Sequence, residues 1–403
     1  MKVLLVGSGG REHALAWKLS QAASLEELHA APGNPGIAML GPCHPVRAED
    51  GEGLLDLAAA LDADLVVVGP EAPLVAGVAN ELRRQGIPVF GPSADAARIE
   101  GSKTFAKDVM RAAGVAAPET LAVARPPCVV KADGLAAGKG VFICREQHEL
   151  DDALRAAASL GETIVLEELL EGEEISVFAL CDGVHALALP AAQDFKRIGD
   201  GDTGPNTGGM GSYSPVAAIA AADVEQLVDA IHRPVLEELA ARGAPFVGAL
   251  FAGVMLTPDG PRVLEFNCRF GDPETQSLLP RVAGDLLTAL AAAAGGDLSS
   301  VNLEVAEAAA VTVVLAAGGY PAAGDVGSPI DGVADAEATG ALVFHAGTAL
   351  NRDRLVTNGG RILDVTATGP DVASARDHAY AACELISFPG MRFRRDIAAV
   401  AHV

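Results

Sequence analysis

The chain has 403 residues, half of them hydrophobic and only 4% aromatic, with a formal net charge of −24. That length exceeds one ordinary core and predicts two to four domains, while the acidity argues against nucleic acid or an anionic membrane surface as partner, since both demand basic patches. Lysine supplies only seven of the 29 basic residues, which makes each one a candidate for work that arginine does poorly, such as a compact point charge on phosphate.

Residues 3–6 read as a buried strand, 11–21 as an amphipathic helix, and 28–31 as a second strand ending at Pro32-Gly33-Asn34. Residues 65–68 are an uninterrupted apolar run, typical of a parallel strand covered on both faces. A helix over 75–85 and a short strand at 88–90 complete a βαβ rhythm, hence a doubly wound parallel sheet. Its functional edge is the carboxyl ends of the strands at 7–10, 32–36 and 69–71, the last closing on Glu71. Gly7-Ser8-Gly9-Gly10 invites a dinucleotide reading, but Glu12 stands where the third glycine belongs, and no acidic residue closes the second strand. The turn is either a phosphate cradle for a smaller ligand or a tight structural turn. His13 reads as a capping or core histidine.

The rhythm breaks over 91–107, and a helix at 104–113 leads to Pro118. A strand at 129–132, a glycine loop at 134–140 and a strand at 141–144 then form an antiparallel hairpin, followed by a helix at 150–160 and a strand at 163–168. The loop is not a Walker loop, because Gly140 follows Lys139 where Ser or Thr would be needed. A glycine loop in a hairpin, with Gly134, Gly138 and Gly140, can fold over phosphates as a lid. Lys131 and Lys139 would supply charge, with Lys103 just upstream. The strand and connector around Glu167, Glu168 and Leu169 can hold an adenine through main-chain groups, and a carboxylate such as Glu174 can take ribose hydroxyls. An acidic surface loop is an equal alternative for that stretch.

Residues 193–215 are too charged and glycine-rich for a core element. They predict a long substrate-contact loop carrying Asp194, Lys196 and Thr207-Gly208-Gly209-Met210. A helix interrupted at Pro234 follows. On the strand at 263–267, Glu265 and Asn267 share one face and Phe266 turns to the core. One carboxylate and one amide oxygen suit a hard cation such as Mg²⁺. Alone, that spacing is better explained by a half-buried strand, but the lid lysines supply the nucleotide such a metal would serve. Arg269 and Asp272 then flank an abrupt turn that could present a small charged substrate. The last ninety or so residues read as a separate small α+β unit beginning with a strand at 309–316.

Six scattered cysteines, without C-x-x-C or a histidine at metal spacing, predict reduced thiols in a cytoplasmic protein. Met1 leads directly into the first strand, and no apolar run approaches ~18 residues, so neither a signal peptide nor a membrane span is expected.

These residues together resemble the phosphoribosylamine–glycine ligases (glycinamide ribonucleotide synthetases) of the ATP-grasp superfamily. The likeness rests on the segments 6–14, 31–34, 68–74, 100–103, 131–140, 202–211, 265–276 and 356–361. The glycine lid says only ATP-grasp, whereas Asp202-Thr203-Gly204-Pro205-Asn206-Thr207-Gly208-Gly209-Met210-Gly211 with Arg269-Phe270-Gly271-Asp272-Pro273-Glu274-Thr275-Gln276 is specific. The resemblance implies α/β and α+β architecture: an N-terminal Rossmann-like domain at 1–100, a first part of the ATP-grasp fold at 101–118, a lid domain at 119–180, a core at 181–308 and a C-terminal domain at 309–403. It implies ATP as co-substrate, Mg²⁺ or Mn²⁺ on Glu265 and Asn267, and a monomer acting on glycine and 5-phosphoribosylamine through a glycyl phosphate. Lys103, Lys131 and Lys139 would offset phosphoryl charge, Glu167 to Leu169 hold adenine, and Glu174 the ribose. Arg269 and Asp272 would take the carboxylate and ammonium of glycine, and Gly9, Gly10 and Asn34 would lie near the phosphate of the ribosylamine. No general base is obligatory, because a deprotonated amine is already nucleophilic. The segment between Pro118 and Val129 is shorter than usual for such enzymes. The rival readings are another ATP-grasp carboxylate–amine ligase and a catalytically silent nucleotide-binding regulator.

Overall fold

Short apolar strands that need cover on both faces build the N-terminal sheet. A computed structural model describes residues 1–135, 140–161 and 163–399, so Gly138 and Lys139 lie outside the described residues. The strands run in the order Glu27–Pro32, Lys2–Gly7, Leu65–Val68, Val89–Phe90, all parallel. The chain order reverses at the central pair, and the carboxyl ends there face the rest of the molecule, where doubly wound sheets bind ligands. The helix expected over 75–85 is two, Glu71–Ala76 and Val78–Arg84, divided at Gly77, whose φ of +93° only glycine adopts readily. An additional helix, Ala94–Gly101, fills the span where the rhythm breaks. Ser93 caps it, its Oγ accepting from the Ala96 N–H at 3.3 Å.

The glycine hairpin forms as expected. Val141–Cys144, Cys128–Ala132 and Ile164–Glu168 make a three-stranded antiparallel sheet in that order, covered by the helix Gln147–Leu160. This unit has its own small apolar core (Cys128, Val130, Ala132, Cys144, Leu150, Ala153 and Ala157). The short segment after Pro118 runs along its free edge, with the Leu121 N–H on Leu166 O and the Glu168 N–H on Glu119 O.

The central sheet is antiparallel, ordered Gly260–Asn267, Val247–Thr257, Glu173–Asp182, Ala186–Ala188. An alanine-rich helix, Leu286–Gly295, joins it to the N-terminal sheet in one core that contains Leu5, Phe90, Phe178, Phe251 and Leu290. The helix around Pro234 is interrupted as expected, with a wide turn at Val228–His232 before Arg233–Ala241.

The loop at 193–215 is more ordered than its composition predicts, and residue 309 does not begin a separate sheet. Gln193–Asp194 and Gly211–Ser214 pair with Ala309–Ala316, Arg361–Gly369 and Leu342–His345 in one five-stranded sheet. Arg197–Gly199 and Thr203–Asn206 form a small hairpin beside it. Met210 and Tyr213 pack into the same core as Val311 and Val313, so burial of two large side chains overrides the glycines around them. The C-terminal sheet is tied to the N-terminal one through Asn34, whose Nδ2 donates to Ser8 O (2.9 Å) and His345 O (2.7 Å), while the His345 N–H donates to His13 Nδ1 (2.8 Å).

Candidate active site

All of these units meet around one cavity of about 320 Å³. On the hairpin side, Lys131 projects from its strand with Nζ 2.9 Å from Leu264 O and 2.6 Å from Glu167 Oε2. The second oxygen of Glu167 is taken by Lys107 Nζ at 3.0 Å, and Lys107 also donates to Pro118 O. Glu167 is 2% exposed, so its buried charge survives only because two ammonium groups flank it. Lys107 lies one helical turn after Lys103 on Lys103–Ala112, a spacing that puts both on one face. Lys103 donates through Nζ to Gly134 O (3.0 Å) and through its backbone to Asp133 Oδ1 (2.5 Å), pinning the base of the glycine loop to a helix N-terminus. Burial lowers the Lys103 pKa, with Glu265 pulling the other way, which places that carboxylate opposite the ammonium.

Glu265 and Asn267 both line the cavity from one face of the strand Gly260–Asn267. The Glu265 carboxylate is half-buried and, among the described residues, accepts no hydrogen bond and has no ion-pair partner. Among the described residues, Asn267 Oδ1 accepts only a 3.3 Å contact from Arg269 Nη2. Under-used oxygens of two side chains on one face fit a hard cation. Among the described residues no group of three or more His, Cys, Asp or Glu is arranged for a metal, so phosphate oxygens and water would have to complete the shell.

The opposite wall is a network of arginines and carboxylates. Arg269 contacts Glu71 Oε2 (3.3 Å), Glu100 Oε1 (3.2 Å) and Phe270 O (3.1 Å). Burial opposes its charge, yet Glu100 and Glu71 raise its pKa above the usual value. Arg11 bonds Glu12 Oε1 (2.5 Å) and Phe270 O (3.1 Å). Asp272 faces Arg361 at 2.8 Å; burial pushes its pKa up, but Arg361 and Arg11 outweigh that and hold it below the usual carboxylate value. Arg361 also donates to Gly208 O (2.8 Å), fixing the 207–208 turn, and Thr207 bonds Lys196 O through both N–H and Oγ1. Lys196 bridges Asp194 (2.7 Å) and Glu174 (2.8 Å).

The cavity therefore gathers Glu71, Lys103, Lys131, Gly134, Gly140, Glu167, Asp194, Lys196, Thr207, Gly208, Glu265, Asn267, Arg269 and Asp272 from the sequence expectation. It does not gather Gly9, Gly10, Asn34, Glu168, Leu169, Glu174, Gly209 or Met210. The Gly9 N–H already donates to Glu12 Oε2 (2.7 Å), and a Cβ on Gly10 would stand 1.8 Å from Asp364 Oδ2. Here the tight structural turn accounts for the glycines. Asn34 spends its amide between units, Glu168 pairs with Arg262 (2.7 Å), and Glu174 pairs with Lys196. Gly209 makes room for Pro273, and Met210 is core. The sequence reading missed Arg11, Glu100, Lys107, Glu274 and Arg361, all on the cavity wall. For Lys107 the signal was available in the scarcity of lysine and its i, i+4 relation to Lys103.

Comparison with known proteins accords with this geometry. Residues 1–100 match the family described as Phosphoribosylglycinamide synthetase, N domain; 101–275 match its ATP-grasp (A) domain, and 310–400 its C domain. The chain is 49% identical to phosphoribosylamine–glycine ligase of Brucella melitensis over 98% of this chain and 97% of that one. It is 49% identical to the Streptomyces coelicolor protein of the same name over 100% and 99%. The crystal structure of phosphoribosylamine–glycine ligase from Thermotoga maritima superposes with a TM-score of 0.85 at 34% identity, covering 99% of this chain and 100% of that one. The biotin carboxylase domain of the Hydrogenobacter thermophilus 2-oxoglutarate carboxylase shares the fold alone, at 17% identity and a TM-score of 0.70 over 97% and 91%.

Proposed function

The chain belongs to the phosphoribosylglycinamide synthetase family, and from that membership we propose that it joins glycine to 5-phosphoribosylamine with ATP through a glycyl phosphate, yielding glycinamide ribonucleotide, ADP and phosphate. It is an ATP-dependent ligase of purine biosynthesis, with a divalent metal accompanying the nucleotide. The observation that carries the reading is a single cavity with Lys103, Lys131 and the under-used oxygens of Glu265 and Asn267 on one wall and an arginine–carboxylate network on the other.

Lys103 and Lys131 would offset charge on the transferring phosphoryl group; Gly134 to Gly140, with Lys139, would close over it. Mg²⁺ or Mn²⁺ would be held by Glu265 and Asn267 and would screen the phosphate oxygens when bound. Glu167 acts by holding Lys131 in place. Arg269 and Asp272 would receive the carboxylate and ammonium of glycine, each exchanging part of an existing ion pair for the substrate. Asp194, Lys196, Thr207 and Gly208 would border the ribosylamine. Holding both reactants in one water-poor cavity supplies much of the rate. The reading includes a monomer, and six free cysteines support a cytoplasmic setting.

The test is ADP release with each substrate omitted in turn. ADP should form at full rate only with glycine, phosphoribosylamine and Mg²⁺ together. Equal turnover with D-alanine or bicarbonate in place of glycine would sink the assignment.

A further inference from the structure

We propose that Glu274 is the catalytic base of the ligation step, a role that rests on the function read above. Glu274 opens the helix Glu274–Leu278, lies in the cavity wall and is 3% exposed. The Ser176 hydroxyl donates to its Oε1 at 3.1 Å. Among the described residues, no cation stands within 4.0 Å of either oxygen.

The other carboxylates of the cavity are committed. Glu71 and Glu100 are spent on Arg269, Glu167 on two lysines, Asp272 on Arg361 and Asp194 on Lys196. Glu265 is the candidate metal ligand. Among the described residues of the wall, Glu274 is the carboxylate that is buried, bonded to a neutral hydroxyl and without an ion-pair contact.

The charges that act on it are Asp194, Lys196, Arg269 and Arg361. Of the elements packed on its helix, Gly10–Leu19 brings Arg11, bound to Glu12, and Arg361–Gly369 brings Asp364, bound to Gln276 at 2.8 Å. Leu279–Arg281 brings Arg281, bound to Ala308 O and Ser214 Oγ. Burial first, and then Asp194, push the Glu274 carboxyl up to about 7, against the pull of Lys196 and Arg269. A base poised near the working pH is the most effective kind.

The ligation step releases a proton that such a group can take. As the amine nitrogen bonds to the acyl carbon of glycyl phosphate, the C–O bond to phosphate breaks and its electron pair leaves with phosphate. The nitrogen, now carrying an excess proton, gives it to the Glu274 carboxylate, and the neutral amide remains.

The experiment compares wild type with Glu274→Gln using two acceptors, phosphoribosylamine and hydroxylamine. Hydroxylamine attacks acyl phosphates unaided and yields glycine hydroxamate. The expected result is hydroxamate formation near the wild-type rate, amide formation lowered ~100-fold or more, and loss of the acid limb of the kcat profile near pH 7. Glu274→Asp should restore part of the amide rate. Unchanged amide formation, or equal loss with both acceptors, would overturn the role, the second outcome marking a structural or glycine-binding residue. A wild-type enzyme that makes amide but no hydroxamate would overturn the acyl phosphate reading, and this role with it.

Discussion

Arg361 reaches from the C-terminal sheet to Asp272, placing Nη2 2.8 Å from Oδ2 and spanning 89 positions of sequence. Its second nitrogen holds the carbonyls of Gly208 and Asp272 itself. One guanidinium thus fixes both the turn after the strand Gly260–Asn267 and the turn at 207–208.

Replacing Arg361 by Ala should leave the Asp272 carboxylate buried without its partner, a loss of about 2–5 kcal/mol for truncating one member of such a pair. Steady-state kinetics should show kcat/KM for phosphoribosylamine reduced ~100-fold and ATP affinity nearly unchanged. Equal weakening of ATP would mean that Arg361 supports the fold at large.

Glu265→Gln removes a charge from the strand while keeping its shape. kcat should fall ~100-fold, the loss expected for one electrostatic contact made in the transition state, with a smaller change in nucleotide affinity. Titration with Mn²⁺ should show a weaker site. An unchanged kcat would return Glu265 to an ordinary half-buried strand residue.

Glu167→Ala strands Lys107 and Lys131 beside a cavity where their shared anion stood. Breaking a buried pair in this way destabilises by about 3–5 kcal/mol, which urea unfolding should report. Lys107→Met should cost less, because Lys131 still neutralises Glu167. If the two variants are equally stable, the clamp is not the source of the stability.

His13 and His345 are both buried at the junction of the N- and C-terminal sheets. Burial, and for His13 also the proximity of His345, lowers their pKa values from 6.5 to about 3 and about 4. The unfolded chain therefore binds more protons than the folded one below pH 6.5, and stability present above that pH is lost as pH falls toward 4. At pH 5 the loss should be about 2 kcal/mol for each histidine. Urea midpoints at pH 7 and pH 5 should lie closer together in a His13→Gln variant, with the His345 share remaining, and an undiminished pH dependence there would refute the assignment.

Much of the fold was legible because period and composition agreed with it. The run at 65–68 could only be a covered strand, and the glycine loop between two apolar strands could only be a hairpin. Residues 193–215 misled because glycine content hid the inward alternation of Met210 and Tyr213. The single helix over 75–85 misled because nothing local distinguishes Gly77 from a tolerated helical glycine. Residues within one motif, Glu265, Asn267, Arg269 and Asp272, were readable as a group, and all four line the cavity. Arg11, Glu100 and Arg361 acquire meaning only from partners brought in from far along the chain, and no local pattern carries that. At Gly9 the sequence left a ligand cradle and a tight turn equally open, and the structure shows the amide turned to Glu12.

The small unit bearing the hairpin keeps its apolar core to itself, while the N-terminal and central sheets share theirs. Much of what ties that unit to its neighbours is polar: Lys131 to Leu264 O, Arg262 to Glu168, and Asp133 to the Lys103 N–H. Water can substitute for bonds of that kind at small cost, whereas parting a shared oily seam would expose large surfaces. On the proposed function, admission and discharge of nucleotide would therefore fall to the hairpin unit, whose displacement would leave the core shared by the other two sheets intact.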